Sequence, residues 1–156
     1  MELTFRTAYL DDCASIAACM RQGDRLEVAA VGQSPLEALQ ESLADSSVAY
    51  TALVDGQPAA MFGLIPPLSL IDYERAGVWM LTGTPVINIS PITFVRVSRQ
   101  IIARFLDCYP ILQNWVDARY TASIRWLGLC GARFSATRTF EPEHREFWHF
   151  EIRRPE

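Results

Sequence analysis

The chain contains no lysine; all 14 of its basic residues are arginine. That absence removes whole classes of chemistry. A Schiff base to a carbonyl substrate or to pyridoxal phosphate needs a lysine amine. The phosphate-reaching lysine of a P-loop is missing, and no lysine can serve as general base. A codon bias towards arginine accounts for the composition and leaves these exclusions intact. Metal-ligand patterns are equally scarce. The four cysteines, Cys13, Cys19, Cys108 and Cys130, form no Cys-x-x-Cys pair, and the only histidines are His144 and His149. Zinc sites draw on closely spaced ligand pairs, so no metal is expected. Cys13, Cys19 and Cys108 fall in apolar helical patterns and read as small hydrophobes.

A basic surface is also lacking. The net charge is −4, and the arginines are scattered apart from Arg153 and Arg154, which argues against a nucleic-acid partner. Ala76 to Val95 carries no charge, but Gly77, Gly83, Pro85, Asn88, Ser90 and Pro91 make it a poor spanning helix, so no membrane partner is expected. The first residues, Met-Glu-Leu-Thr-Phe-Arg, lack the basic and apolar regions of a signal peptide. A reducing cytoplasm is the expected compartment.

What is present is an ordinary domain. With 156 residues, half of them hydrophobic, the chain can bury roughly 68–70% of its unfolded surface. It shows no repeat or linker and reads as one domain over residues 1–156. Leu3 to Tyr9 alternates as a strand. Asp11 or Asp12 is positioned to cap a helix from Cys13 to about Gln22, which Gly23 ends. Ser34-Pro35-Leu36-Glu37 is a strong start for a helix running to about Ala44. Val48 to Val54 and Pro58 to Leu64 read as strands joined at Asp55-Gly56, a tight hairpin signal. Gly77 to Thr82 reads as a buried strand and Gly83 to Ser90 as a loop. Ile92 to Cys108 has helical spacing, with Val95, Ile102, Phe105 and Leu106 near one face. Leu112 to Ala118 is a strand, Thr121 to Leu129 a short helix closed by Gly131. Phe134 to Phe140 and Glu146 to Arg153 are strands around the turn Glu141-Pro142-Glu143. The resulting order, β α α β β β α β α β β, is an α/β (α+β) arrangement: a mixed sheet with helices on both faces.

The segment Val116-Asp117-Ala118-Arg119-Tyr120-Thr121-Ala122-Ser123, leading through Ile124-Arg125-Trp126-Leu127-Gly128-Leu129-Cys130-Gly131 to Ala132-Arg133-Phe134, resembles the closing motif of GNAT acyltransferases. The element order is also that of the GNAT fold. The resemblance implies a twisted, mostly antiparallel central sheet of about six or seven strands. It further implies that acyl-CoA, acetyl-CoA in the simplest case, lies where Gly77–Thr82 and Leu112–Ala118 splay apart. The pyrophosphate would then sit on the N-terminus of the long helix. Counting back from Val116 without gaps, the family's glycine-rich turn falls on Asn88-Ile89-Ser90-Pro91-Ile92-Thr93. Neither glycine is present and Pro91 has no N–H, so Asn88, Ser90, Thr93, Arg96 and Arg99 become the candidate cofactor residues; the alternative is that Ser90-Pro91 simply caps a helix.

The family's general-acid tyrosine corresponds to Leu127, its motif asparagine to Tyr120 and its phenylalanine to Ala132. Tyr120 is the remaining candidate proton donor, against a reading as an aromatic wedge. A general base would be Asp24, Glu27 or Glu74, or a water, each of which also reads as a surface charge. More narrowly, Asn114-Trp115-Val116-Asp117-Ala118-Arg119 and Ser123-Ile124-Arg125-Trp126-Leu127 resemble a small family of short-tailed bacteriophage proteins encoded beside the internal virion proteins. Ala59–Leu64 and Val78–Thr82 fit it too.

Three functions follow as expectations. One is an acyl-CoA-dependent N-acyltransferase of phage or prophage origin, acting on a small-molecule or peptide amine. The second is a non-catalytic GNAT-like protein with phage virion proteins as partners, associated with the virion during assembly. The third is a ligand-binding module whose cleft is lined by Phe62, Trp79, Phe94 and Trp115, each of which also reads as a core side chain. All three lean on the fold, and one fold hosts many functions.

Overall fold

The computed structural model describes residues 1–156. Its elements are β1 (Leu3–Thr7), α1 (Leu10–Ala18), α2 (Gln22–Ala30), α3 (Pro35–Asp45), β2 (Val48–Val54), β3 (Gln57–Ile65), β4 (Arg75–Thr82), a 3-10 segment (Thr84–Asn88), α4 (Pro91–Cys108), β5 (Ile111–Asp117), α5 (Thr121–Leu129), β6 (Arg133–Phe140) and β7 (Arg145–Arg153). Local chemistry explains many of these boundaries. Ser34 and Ser90 each cap a helix with proline at its start, accepting the N–H of Glu37 at 3.1 Å and of Thr93 at 3.2 Å. Asp55 and Gly56 adopt φ of 49° and 80°, the pair of left-handed residues a two-residue hairpin turn requires.

The fold class is the expected one, and the element order gains a helix. The expected helix Cys13–Gln22 is α1, which starts earlier and ends at Ala18, and the added helix is α2, which begins at Gln22 with Gly23 inside its first turn. Gly23 reads as a helix stop from sequence, but a first-turn glycine costs little there and is required by a close contact described below. Neither Asp11 nor Asp12 is the N-cap of α1. Tyr9 holds that position, and the Asp12 carboxylate, inside the first turn, reaches back to accept its N–H at 2.9 Å. The expected loop after β4 contains the short 3-10 segment. Cys13 is fully buried and Cys19 partly so, but Cys108 is exposed on the last turn of α4, facing away from the apolar stripe.

The seven strands form one sheet in the order β1-β2-β3-β4-β5-β7-β6, antiparallel at every junction except β4·β5. On one face α1–α3 bury Cys13, Ile16 and Leu39 against Met61, Trp79 and Leu81. On the other, Phe105, Leu106 and Leu127 of α4 and α5 pack on Phe62, Leu112, Val116 and Phe150. Each such apolar side chain contributes about 1.5–3 kcal/mol by leaving water. Trp126 Nε1 donates to Ser98 Oγ at 3.1 Å, fixing α5 on α4. The β3–β4 loop turns Leu68, Leu70 and Ile71 almost wholly outward. No helix is long and apolar enough to cross a membrane, and no group of three His, Cys, Asp or Glu side chains is arranged to hold a metal ion.

One buried carboxylate ties three elements. Asp12 accepts from both Arg6 guanidinium nitrogens at 2.7 and 2.9 Å, from the Thr51 hydroxyl at 2.7 Å and from the Tyr9 N–H. Burial pushes its pKa up, and these bonds, led by Arg6, more than reverse that, leaving it below the usual carboxylate value. Its stabilisation is therefore present above the ordinary carboxylate pKa and lost as pH falls through the lower folded value. Asp12→Ala is expected to cost about 2 kcal/mol near neutral pH. In urea denaturation the gap between variant and parent should shrink in acid; a gap independent of pH would show that the charge of Asp12 is not what stabilises.

Candidate functional site

The β4 and β5 strands pair at only three positions, Arg75↔Ile111, Ala76↔Leu112 and Gly77↔Gln113. Beyond them the two strands separate. The Asn114 amide stands in for the lost ladder: its Nδ2 donates to the Val78 carbonyl at 2.7 Å and its Oδ1 accepts from the Trp115 N–H at 2.7 Å. Past this bridge the gap widens into a cavity of about 780 Å³, lined by 40 residues of which 30 are hydrophobic. Phe62, Trp79, Phe94 and Trp115 all contribute to its wall, while Phe62 and Trp79 are at the same time buried members of the two cores.

Helix α2 straddles the open end. Asp24 accepts the N–H of Thr82 at 2.8 Å, and also its hydroxyl, at the end of β4. Glu27 accepts the N–H of Asp117 at 3.0 Å at the end of β5. The three-residue spacing puts both carboxylates on one helix face, one for each strand end. Burial raises the Asp24 pKa against the pull of its Thr82 bonds. Burial pushes Glu27 up to about 8; the Asp117 N–H opposes this and the charges of Asp24 and Asp117 add to it. Glu27 is half-buried and lines the cavity. Asp117 behaves oppositely: burial raises it, but Arg119, bidentate at 2.7–3.2 Å, brings it below its ordinary value.

Tyr120 occupies the N-cap position of α5 and lines the cavity with Asp24 and Glu27. Its ring lies directly on Gly23, where a Cβ would fall 2.4 Å from the ring Cζ; only glycine admits this approach. Burial, then the neighbouring Asp24 charge, drives the phenol pKa well above its ordinary value, with Arg21 opposing. The hydroxyl therefore keeps its proton. Two of the three base candidates, Asp24 and Glu27, thus meet the acid candidate Tyr120, while Glu74 is exposed on the β3–β4 loop and does not line the cavity. Leu127 is buried in the core.

Of the residues expected to hold a cofactor phosphate, Ser90, Thr93 and Arg96 lie around the start of α4, Asn88 precedes it and Arg99 stands at mid-helix. Asn88 is exposed at the end of the 3-10 segment. The Ser90 hydroxyl donates to Thr93 Oγ1 at 2.8 Å while accepting the Thr93 N–H. Pro91 offers no N–H and Phe94 bonds back to the Ser90 carbonyl, so Ile92 supplies the first turn's one free N–H. Arg96 is exposed and makes no hydrogen bond or ion pair. Arg99 donates from Nε to the Leu129 carbonyl at 2.8 Å, serving the C-terminal end of α5. Sequence reasoning missed the pairing of Asp24 with Glu27 across the strand ends. Its signal is the Asp24-x-x-Glu27 spacing, hidden once Gly23 is read as a helix stop.

The sequence matches no protein-family model and no curated protein, but the fold matches solved structures. The GNAT-family acetyltransferase from Streptococcus pneumoniae aligns over 97% of this chain and 99% of its own, at 14% identity and a TM-score of 0.64. The ribosomal-protein-alanine N-acetyltransferase from Brucella melitensis aligns over 96% and 99%, at 12% identity and 0.73. AAC(6')-Ib in complex with ribostamycin and coenzyme A aligns over 99% and 94%, at 16% identity and 0.71. At such identities the likeness establishes the fold: the chain has the GNAT fold. None of the three is a virion protein, so the assembly alternative draws no support from them.

The perturbed Glu27 has a thermodynamic consequence. A carboxyl whose folded pKa is raised gives stability that is fully present below its unfolded value and lost as pH rises through the folded one. Glu27→Gln is therefore expected to gain stability relative to the parent between pH 4.5 and about 8. Thermal melts across this window check it; a difference that does not change with pH would show that Glu27 ionises freely.

Proposed function

We propose that the chain, acting as a single domain over residues 1–156, is an acyl-CoA-dependent N-acyltransferase that transfers an acyl group to an amine. The observation that carries the proposal is the meeting of Glu27 and Tyr120 at the open end of the β4/β5 splay. A base with a pKa near the working pH is the efficient one, and Glu27 at about 8 meets that condition. In its ionised form Glu27 takes a proton from the acceptor ammonium. Tyr120 holds a protonated hydroxyl at the same point, a role the aligned Leu127 has no atom to fill.

The cavity suits the acyl-pantetheine arm in size and apolar lining. The phosphate seat is lean: the Ile92 N–H, the hydroxyls of Ser90 and Thr93, Asn88, and Arg96 as the free cation. Bound acyl-CoA supplies an activated thioester carbonyl. AAC(6')-Ib binds a small-molecule aminoglycoside with coenzyme A, and the Brucella melitensis enzyme is named for alanine of a ribosomal protein; both support an amine acceptor, small molecule or peptide. The resemblance to phage proteins keeps a phage or prophage origin, and a cytoplasmic site of action, within the proposal. A second reading, ligand binding without transfer, is favoured by one observation, that Pro91 and Ser90 remove two of the N–H groups a phosphate would use.

Calorimetry with acetyl-CoA tests the proposal. Saturable binding is expected, and Thr93→Trp should abolish it by filling the phosphate seat; no heat and no thermal shift at millimolar ligand would sink it. Arg96→Ala should weaken acetyl-CoA about fivefold and leave S-acetylpantetheine, which has no phosphate, unaffected. Transfer to an amine should rise with pH up to about 8, and Glu27→Gln should lose about 100-fold in rate together with that pH dependence.

A further inference from the structure

The acyl-CoA arm accounts for one side of the cavity. The cavity wall also includes Gln33, Trp115, Phe140 and Phe147, together with Glu27. Phe140 stands edge-on to Trp115, centroids 5.4 Å apart, and edge-on to Phe147 at 4.7 Å. The β6–β7 turn folds back over this wall. Its Glu143 N–H reaches the Ala30 carbonyl at 3.4 Å, and the Pro142 ring packs on Gly32, with Cδ 3.3 Å from where a Cβ would stand. The end of α2 and the tip of the β6–β7 hairpin thus meet over a chamber with aromatic walls and acidic groups, Asp24 and Glu27, at its inner end.

We propose that this chamber is the acceptor site and that its acceptor is a primary amine carried on an apolar, ring-bearing group, an arylalkylamine in the simplest case. The proposal takes its chemistry from the acyltransferase reading. A polyol such as an aminoglycoside would leave hydroxyls without partners against the rings of Trp115, Phe140 and Phe147, at a cost for each unpaired group. A flat ring gains from the edge-to-face geometry that Trp115, Phe140 and Phe147 already adopt. The ammonium end finds carboxylates where the chamber joins the splay, the point at which the acyl carbon would be offered.

In the transfer the nitrogen–carbon bond forms and the carbon–sulfur bond breaks. Of the three ammonium protons one stays on the amide, one leaves with the thiol and one passes through Glu27 to solvent. The groups facing Glu27 are Asp24 on α2, Asp117 on β5 and Tyr120 at the start of α5, while Arg21, just before α2, acts on Asp24 and Tyr120. None is a cation paired to it. At neutral pH Glu27 therefore holds a proton, which an arriving ammonium displaces.

Calorimetry on the full chain, without and with coenzyme A, tests this using 2-phenylethylamine and tryptamine beside ethylamine, 2-phenylethanol, spermidine and kanamycin. Titrations at pH 7 in two buffers of different ionisation heat count protons. The arylalkylamines should bind with nearly one proton released, and ethylamine and 2-phenylethanol at least about tenfold more weakly. Glu27→Gln should abolish the proton release, and Trp115→Ala should weaken the arylalkylamines about tenfold. The ligand series on the unaltered protein carries the test if the tryptophan variant does not fold. Kanamycin, spermidine or ethylamine binding as tightly as tryptamine would overturn the proposal. If acetyl-CoA binds but no arylalkylamine does under either condition, the chamber proposal fails and the acyltransferase reading stands. If arylalkylamines bind to a protein with no affinity for acetyl-CoA, the chamber is upheld and the transfer reading fails.

Discussion

Two carboxylates one helical turn apart hold the ends of two separating strands, and the rest of the site depends on them. A parallel pair that parts after three residues leaves backbone N–H groups without ladder partners, and each such orphan, if buried, costs about 1–3 kcal/mol. Asp24 takes the one at Thr82 and Glu27 the one at Asp117, while Asn114 covers the point where separation begins. The opening is therefore not a defect of the sheet but a satisfied structure, with α2 as its crosspiece. In this chain no buried side-chain polar atom lacks a partner, even around the cavity.

The carboxylates of the protein divide by whether an arginine attends them. Asp12 has Arg6 and Asp117 has Arg119, and both are held below their usual pKa. Asp24 and Glu27 bond chiefly to neutral N–H and hydroxyl groups and are raised. Where every cation is a guanidinium that stays charged, pairing fixes a carboxylate as anionic scaffold. Glu27, left without a partner cation and raised to about 8, is the one able to exchange a proton near neutral pH. Of the two arginine candidates for a phosphate, Arg99 is tied through Nε to the Leu129 carbonyl, whereas the Arg96 side chain is unengaged.

Much of the architecture was legible in the sequence because it is locally encoded. The caps at Ser34 and Ser90, the Asp55-Gly56 turn and the strand alternations act within a few residues. The α2 helix was not legible, since Gly23 carries a signal that normally ends a helix. Its purpose lies 97 positions away, in the ring of Tyr120. The site was readable as a set of candidates and unreadable as a constellation. Asp24 and Glu27 acquire their roles through partners 58 and 90 residues distant, separations that no spacing rule spans. Cys108 shows the converse limit: an apolar pattern placed it inward, but at the end of a helix the stripe has already run off the sheet.

The contact between Gly23 and Tyr120 also constrains the history of the chain. With the ring in place, any side chain at position 23 collides with it, so the glycine is locked while the tyrosine remains. A lineage that sheds the ring frees position 23 to vary; a lineage that varies position 23 first passes through a poorly packed ancestor. Substitutions at the two positions are thus ordered in time, and relatives with a side chain at 23 should have a small residue at 120.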